Sequence, residues 1–177
     1  MRSAAILFAS LLIAAPVTAQ AQDKVRVAIG QDVSFTIDAN GATITGTQVA
    51  GSPAPYETAM GAEFSRGAHA DAMGPNGKPM TNDGTRPPAP VPATGKIRVR
   101  FTRVAGYNHS LLVIENGYRG ALVYRAMIFM PDAKPTDVCL VMPGKVGVEH
   151  WPYPIAAIEM LQIRLIPWTP ENGLVCE

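Results

Sequence analysis

The stretch that decides the fold is residues 96–102, which read KIRVRFT. Ile97, Val99 and Phe101 alternate there with basic and polar residues. A period of two places the apolar side chains on one face of an extended chain and the polar ones on the other. The segment therefore predicts a half-buried β-strand.

Further short apolar segments continue from this strand to residue 166. They are residues 111–114, 121–130, 138–142, 146–151 and 161–165. Alternating segments also precede the central stretch, at 24–29, 33–38 and 42–45. Asn40-Gly41 and Pro143-Gly144 are sequences typical of tight turns between strands. We predict an all-β fold, an antiparallel immunoglobulin-like β-sandwich of about eight or nine strands.

Three local predictions go with this fold. Residues 116–120 contain Asn116-Gly117 and predict a hairpin between the strands on either side. Residues 131–135 predict a loop, because proline cannot donate a hydrogen bond to a neighbouring strand. Residues 138–142 predict a short strand that carries Cys139.

The N-terminal residues 1–21 have the pattern of a cleaved signal peptide. Arg2 supplies the positive charge, residues 4–15 are apolar, and Ala19-Gln20-Ala21 matches the cleavage pattern. A membrane anchor needs roughly 20 apolar residues, which is more than this segment has. The sequence thus predicts a periplasmic or secreted protein, not membrane-spanning after cleavage, with one domain at residues 22–177.

Charge and cysteine content narrow the function classes. The chain has 15 basic and 14 acidic residues, and removing the leader removes only Arg2, so the mature chain is balanced. A balanced chain has no overall attraction to nucleic acid. Cys139 and Cys176 are the only cysteines. In an exported protein such a pair predicts a disulfide, and its wide spacing is unlike the C-x-x-C of reactive or metal-binding thiols.

Residues 51–95 differ from the rest because they hold eight of the chain's 16 prolines and few large apolar residues. Residues 56–64 predict at most one or two helical turns, and 86–92 predict extended polyproline-like chain. The segment is therefore expected to be a long loop or insertion. It is either a solvated excursion or a binding loop.

His69, Met73 and Met80 lie in this insertion. Thioether and imidazole groups suit copper, and soft ligands select Cu(I). Copper binding is thus an alternative function. Otherwise no cofactor is expected.

Four residues are candidates for ligand binding. Arg98 and Arg100 form a basic stripe that suits carboxylate or phosphate groups, unless Glu115, Glu149 or Glu159 on neighbouring strands neutralise it. His150 and Trp151 lie in a proline-bounded turn. They either present aromatic rings to a ligand or form a structural corner with Trp151 in the core.

The motifs of common hydrolases, metalloproteases and nucleotide-binding enzymes do not occur in the sequence. We therefore predict a non-enzymatic binding or envelope-associated module. Its partner would be an unidentified protein or envelope component, contacted through strand faces or edges. An enzyme with a site around Glu149, His150 and Arg164 is the remaining alternative.

Overall fold

The computed structural model describes residues 24–65 and 86–176. In chain order the elements are β1 (Lys24–Ala28), β2 (Gln31–Asp38), β3 (Gly41–Val49), α1 (Pro55–Ser65), β4 (Ile97–Arg103), β5 (Ser110–Asn116), β6 (Ala121–Phe129), β7 (Ala133–Thr136), β8 (Val146–Trp151) and β9 (Ala157–Ile166). A short 3-10 helix at Pro170–Asn172 follows. Strands β1-β9-β6-β7 form one sheet and β3-β2-β4-β5-β8 form the other.

Every strand pair in the two sheets is antiparallel. The predicted all-β sandwich is confirmed, and the described residues contain nine strands. The immunoglobulin-like character and the single domain at 22–177 stay predictions. The predicted signal peptide, residues 1–21, lies outside the described residues.

The core fills the space between the two sheets. The alternation that predicted β4 is confirmed, because Ile97, Val99 and Phe101 are fully buried there. Opposite them the second sheet contributes Val25, Ile158 and other apolar side chains to the same cluster. At about 25 cal/mol per Å² of buried apolar surface, this cluster is the main stabilising term of the fold.

The predicted hairpin at residues 116–120 is wrong. β5 and β6 lie in different sheets, so residues 116–120 carry the chain across the sandwich. The Asn116 side chain is fully buried and donates to the carbonyl oxygens of Gly120, Val141 and Met142. Those bonds hold the crossing in place, whereas an Asn-Gly sequence alone indicates only that the chain turns.

The structure of residues 131–142 differs from two further predictions. The predicted loop contains β7, in which Pro135 lies opposite Met127 on the edge of the four-stranded sheet. An edge strand tolerates proline because one side of it needs no hydrogen-bond donors. The predicted strand 138–142 makes only isolated bridges, Val141 with Leu122 and Cys139 with Cys176.

The helix α1 is longer than the one or two turns predicted, since it spans 11 residues. Pro55 occupies its first turn, where a missing backbone N–H costs nothing. Within the described residues, no helix has the length and apolar character needed to cross a membrane.

Candidate ligand-binding site

The candidate site lies on the outer face of the five-stranded sheet, beneath α1. The helix turns Glu57, Met60 and Gly61 toward the sheet, and all three are buried. A methyl group on Gly61 would lie 2.9 Å from Cγ1 of Val104, so the helix approaches the sheet closely there. Phe64 completes this face and packs with Val104, Leu111 and Val113.

A charged cluster lies under the first turn of α1 and on strands β2, β4 and β5. It consists of Asp32, Glu57, Arg98, Arg100 and Glu115. Except for Arg98, its side chains are largely shielded from water. The strand order β2-β4-β5 brings the sheet residues together, because β4 lies between the strands that carry the two acids.

Arg98 links the acids on the two neighbouring strands. Its Nε and Nη2 donate to the Asp32 carboxylate, with Nη2 2.6 Å from Oδ2, and its Nη1 donates to Oε1 of Glu115 at 3.0 Å. A planar guanidinium suits this fork-like pairing better than a lysine ammonium would. The Arg98 side chain keeps 36% of its surface exposed, so it also faces the cavity above.

Arg100 binds the helix and the segment that leads to it. Its Nε lies 2.8 Å from Oε1 of Glu57, and its Nη2 donates to the carbonyl oxygens of Gly51 and Ser52. The other carboxylate oxygen of Glu57 accepts the backbone N–H of Ala54 at 3.0 Å. Glu57 therefore both caps the start of α1 and fixes α1 to the sheet.

The pKa values of two acids in the cluster are displaced in opposite directions. Burial alone would raise the pKa of Asp32, but hydrogen bonds from Arg98 and Gln48 and the charges of Arg98 and Arg100 lower it overall. Burial raises the pKa of Glu115, with Asp32 and Glu57 adding to the rise and Arg98 opposing it. Of these two acids, Glu115 is therefore the one that keeps a proton more readily, chiefly because burial disfavours its charged form.

A cavity of about 410 Å³ opens above the charged cluster. Its remaining walls are Pro55 and Tyr56 at the start of α1 and the prolines Pro87, Pro88 and Pro90. We call it the proline cavity. Arg86 fixes the proline segment to the helix, because its Nε donates to Glu63 at 2.9 Å and its Nη2 forms a second, shorter contact with the same carboxylate.

The basic stripe predicted from sequence is therefore shielded and paired. Glu115 is one of the predicted acidic partners, but Asp32 and Glu57 are the others. Glu149 is bonded to the Cys139 N–H, and Glu159 pairs with Lys24 on the other sheet. Arg98 and Arg100 both line the proline cavity, so their predicted role in ligand binding stays a prediction with a defined location.

His150 and Trp151 do not join the two arginines. His150 shares their face of the sheet but lies beside the other end of α1, where its ring stacks on Phe64 with centroids 5.2 Å apart. Trp151 is buried on the inner face, edge-on to Phe101, and its Nε1 donates to Thr136. Trp151 is thus part of the core, and the predicted role of His150 and Trp151 in ligand binding stays a prediction.

The three residues of the alternative enzyme site point in different directions. Glu149 and His150 are consecutive in β8 and so face opposite sides of the sheet. Arg164 is on β9 of the other sheet and is exposed. Burial raises the pKa of Glu149 to about 7, against the opposing N–H bond from Cys139, but His150 is not on that side.

The proposed copper ligands His69, Met73 and Met80 lie outside the described residues. Within residues 24–65 and 86–176, no group of three histidine, cysteine or acidic residues is arranged to hold a metal ion. The predicted disulfide between Cys139 and Cys176 is present.

Sequence reasoning missed Asp32 and Glu57. Asp32 alternates with the apolar residues of β2, which indicates an outward-facing position but not a buried one. Pro55 followed two residues later by an acid is a recognisable helix start, and that signal could have identified both α1 and the role of Glu57.

Comparison with known proteins adds no identification. No family model, curated protein or solved structure gives a significant match to the chain.

Proposed function

We propose that this chain is an exported, non-enzymatic binding module whose ligand occupies the proline cavity. The observation that carries the proposal is the cavity itself, which combines apolar walls with a charged floor. Ligand sites are typically concave and mostly apolar, with a few fixed polar groups that set orientation. The cavity lies between a helix, a sheet and a proline segment, all three joined by ion pairs.

The chemistry of the floor favours a ligand with a positive charge. The whole charged cluster has one excess negative charge, because Asp32, Glu57 and Glu115 face two guanidinium groups, although only Glu57 and Glu115 among these acids line the cavity. Both arginines are already bonded to protein oxygens, so a ligand carboxylate would have to compete for them. A cation near Glu115 would instead stabilise the charged form of a carboxylate that burial disfavours.

The walls favour a small ring-shaped body. Proline rings and the Tyr56 side chain offer flat apolar surfaces at the entrance. We therefore propose a small cyclic or aromatic amine as the ligand class. Binding, not catalysis, is favoured because the charged groups at this site are engaged in ion pairs.

Two features support the proposal that the protein is exported. The N-terminal segment has the signal-peptide pattern, and the disulfide between Cys139 and Cys176 is typical of an oxidising compartment. We propose a periplasmic or secreted location. Intact mass spectrometry of the protein from the periplasm or medium should give a chain that starts at residue 22 and lacks two hydrogens relative to the reduced form.

The ligand class is tested with three probes that differ mainly in charge: benzylamine, benzamide and benzoate. Backbone NMR spectra of the exported protein are recorded while each probe is added. We expect benzylamine to bind most tightly and to shift the resonances of Tyr56, Arg98 and Glu115. Glu115→Gln should weaken benzylamine binding, whereas the control Glu159→Gln on the other sheet should leave it unchanged.

Other outcomes of this test are equally informative. A preference for benzoate would show that the arginines select an anion and would overturn the amine class. If none of the three probes shifts the resonances of the cavity residues at millimolar concentration, the proline cavity is not a site for this class of ligand.

A further inference from the structure

The second feature of the outer face is a pair of histidines at the far end of α1 from the proline cavity. His109 directly precedes β5 and His150 belongs to β8, and these strands are neighbours. Nε2 of His150 lies 3.2 Å from Nδ1 of His109, with the ring centroids 5.1 Å apart and the planes at 67°. Two of the chain's three histidines are therefore in contact.

A hydroxyl group joins the same position. Oγ of Ser65, the last residue of α1, lies 2.9 Å from Nδ1 of His109. A ring nitrogen of a neutral histidine offers either one hydrogen or one lone pair in its plane. Nδ1 of His109 thus has two close neighbours for one bonding direction.

We propose that His109 Nδ1 and His150 Nε2 are the protein ligands of a divalent transition-metal ion, Cu²⁺ or Zn²⁺. Two imidazole nitrogens bound to one tetrahedral zinc ion at about 2.0–2.1 Å are roughly 3.3 Å apart. The observed 3.2 Å matches that separation. Imidazole is a good ligand for both metals, and water completes the coordination.

The surroundings hold both rings in place. His150 stacks on Phe64 at an interplanar angle of 12°, and Tyr107 packs against His109 with centroids 5.4 Å apart. The backbone carbonyl of His109 accepts the N–H of Val104 at 3.1 Å. Rings fixed in this way lose little freedom on binding, which favours a metal site.

This site does not depend on the proline cavity or on the copper ligands predicted from sequence. It uses His109 and His150, whereas the sequence pattern indicated His69, Met73 and Met80. The two metal sites can be separated by experiment because each contains different histidines.

The test is an isothermal calorimetric titration of the untagged exported protein with Cu²⁺ or Zn²⁺ alone at neutral pH. We expect one ion per chain. His109→Gln and His150→Gln should each weaken affinity by about tenfold or more, since each removes one of two protein ligands. His69→Gln is the matched control and should bind as the wild type does. Far-UV circular dichroism of each variant checks that it folds.

A second measurement does not depend on variants. Electron paramagnetic resonance of the wild-type protein with one equivalent of Cu²⁺ should show coupling to two imidazole nitrogens. In the zinc-titrated protein, NMR of the histidine rings should show shifts at His109 Nδ1 and His150 Nε2.

Three results would overturn the proposal. They are an absence of binding by the wild-type protein, unchanged affinity in both the His109→Gln and His150→Gln variants, and loss of binding in His69→Gln alone. The last would place the metal in the insertion instead.

Discussion

Nε of Arg100 lies 2.8 Å from Oε1 of Glu57, and this contact joins the middle of β4 to the first turn of α1. Both side chains are shielded from water, with 12% and 5% of their surfaces exposed. Because a buried charge that loses its partner stays desolvated, each of these groups depends on the other. The position of the helix, and with it one wall of the proline cavity, thus depends on an ion pair.

Glu57→Gln should lower the free energy of unfolding by about 2–4 kcal/mol, because it leaves the Arg100 guanidinium with only the more distant Asp32 carboxylate, 3.8 Å from its Nη1. Urea denaturation measures the loss, and hydrogen exchange should show faster exchange in α1 than in β4. Glu159→Gln is the control, since Glu159 pairs with Lys24, whose side chain is 61% exposed. That change should cost less than about 1 kcal/mol. Equal losses in the two variants would contradict the role of Glu57.

The raised pKa of Glu149 predicts an unusual pH dependence of stability. Burial raises its pKa from 4.5 to about 7, so the folded protein holds a proton that the unfolded chain has released between those values. The free energy of unfolding therefore falls as pH rises through this window, by about 3 kcal/mol in total for this group. Below pH 4.5 both states are protonated and the contribution vanishes.

Glu149→Gln should remove that dependence while keeping an oxygen for the Cys139 N–H. Urea denaturation at pH 8 should show the variant to be more stable than the wild type by about 2–3 kcal/mol. At pH 5 the two should agree within about 1 kcal/mol. A wild type that is equally or more stable at pH 8 would show that Glu149 is ionised in the folded protein without penalty.

Much of the fold follows from local patterns in the sequence. The alternation of Ile97, Val99 and Phe101 predicted a strand with one buried face, and those side chains are buried. Asn40-Gly41 predicted the β2–β3 hairpin, in which Gly41 has a positive φ of 119°. Such signals act within a few residues, so a single sequence suffices to read them.

The helix and the charged cluster could not be predicted from local sequence patterns. The face of α1 toward the sheet has the helical spacing 57, 60, 61 and 64, of which the first three are buried and the last is partly buried. Because Glu57 and Gly61 are not large apolar residues, hydrophobic periodicity does not reveal this face. Asp32 and Arg98 are 66 residues apart, and only the strand order brings them together. An Asn-Gly turn likewise does not specify which sheet the next strand joins, hence the wrong hairpin at 116–120.

Gly117 should be intolerant of any side chain. A Cβ there would lie 1.7 Å from the carbonyl oxygen of Ala93 and 2.8 Å from that of Lys96. Because both obstacles are backbone atoms, they cannot move aside as a flexible side chain can. Gly117→Ala should therefore destabilise the protein by about 3 kcal/mol or more, measured by thermal or urea unfolding.

Gly46 offers a matched control for that substitution. It lies in β3, and a Cβ there would meet no atom within 4 Å. Gly46→Ala should leave stability within about 1 kcal/mol of the wild type, because it adds no clash and reduces the freedom of the unfolded chain. If both variants lost the same stability, the close approach of Gly117 to Ala93 would not be the cause.

The disulfide should stabilise the fold by holding the C-terminal residues against the segment after β7. It joins Cys139 to Cys176, and the Leu140 N–H donates to the Val175 carbonyl beside it at 2.9 Å. Closing a loop of this length is worth about 3–4 kcal/mol in the chain-entropy model. The double variant Cys139→Ser, Cys176→Ser should lose about that much free energy of unfolding, measured by urea denaturation. Hydrogen exchange at the Leu140 amide should also be faster in this variant.

Wild-type protein treated with a reducing agent is the control and should match the double variant, since both lack only the covalent link. A double variant as stable as the oxidised wild type would show that the backbone pairing alone holds the C-terminal residues in place.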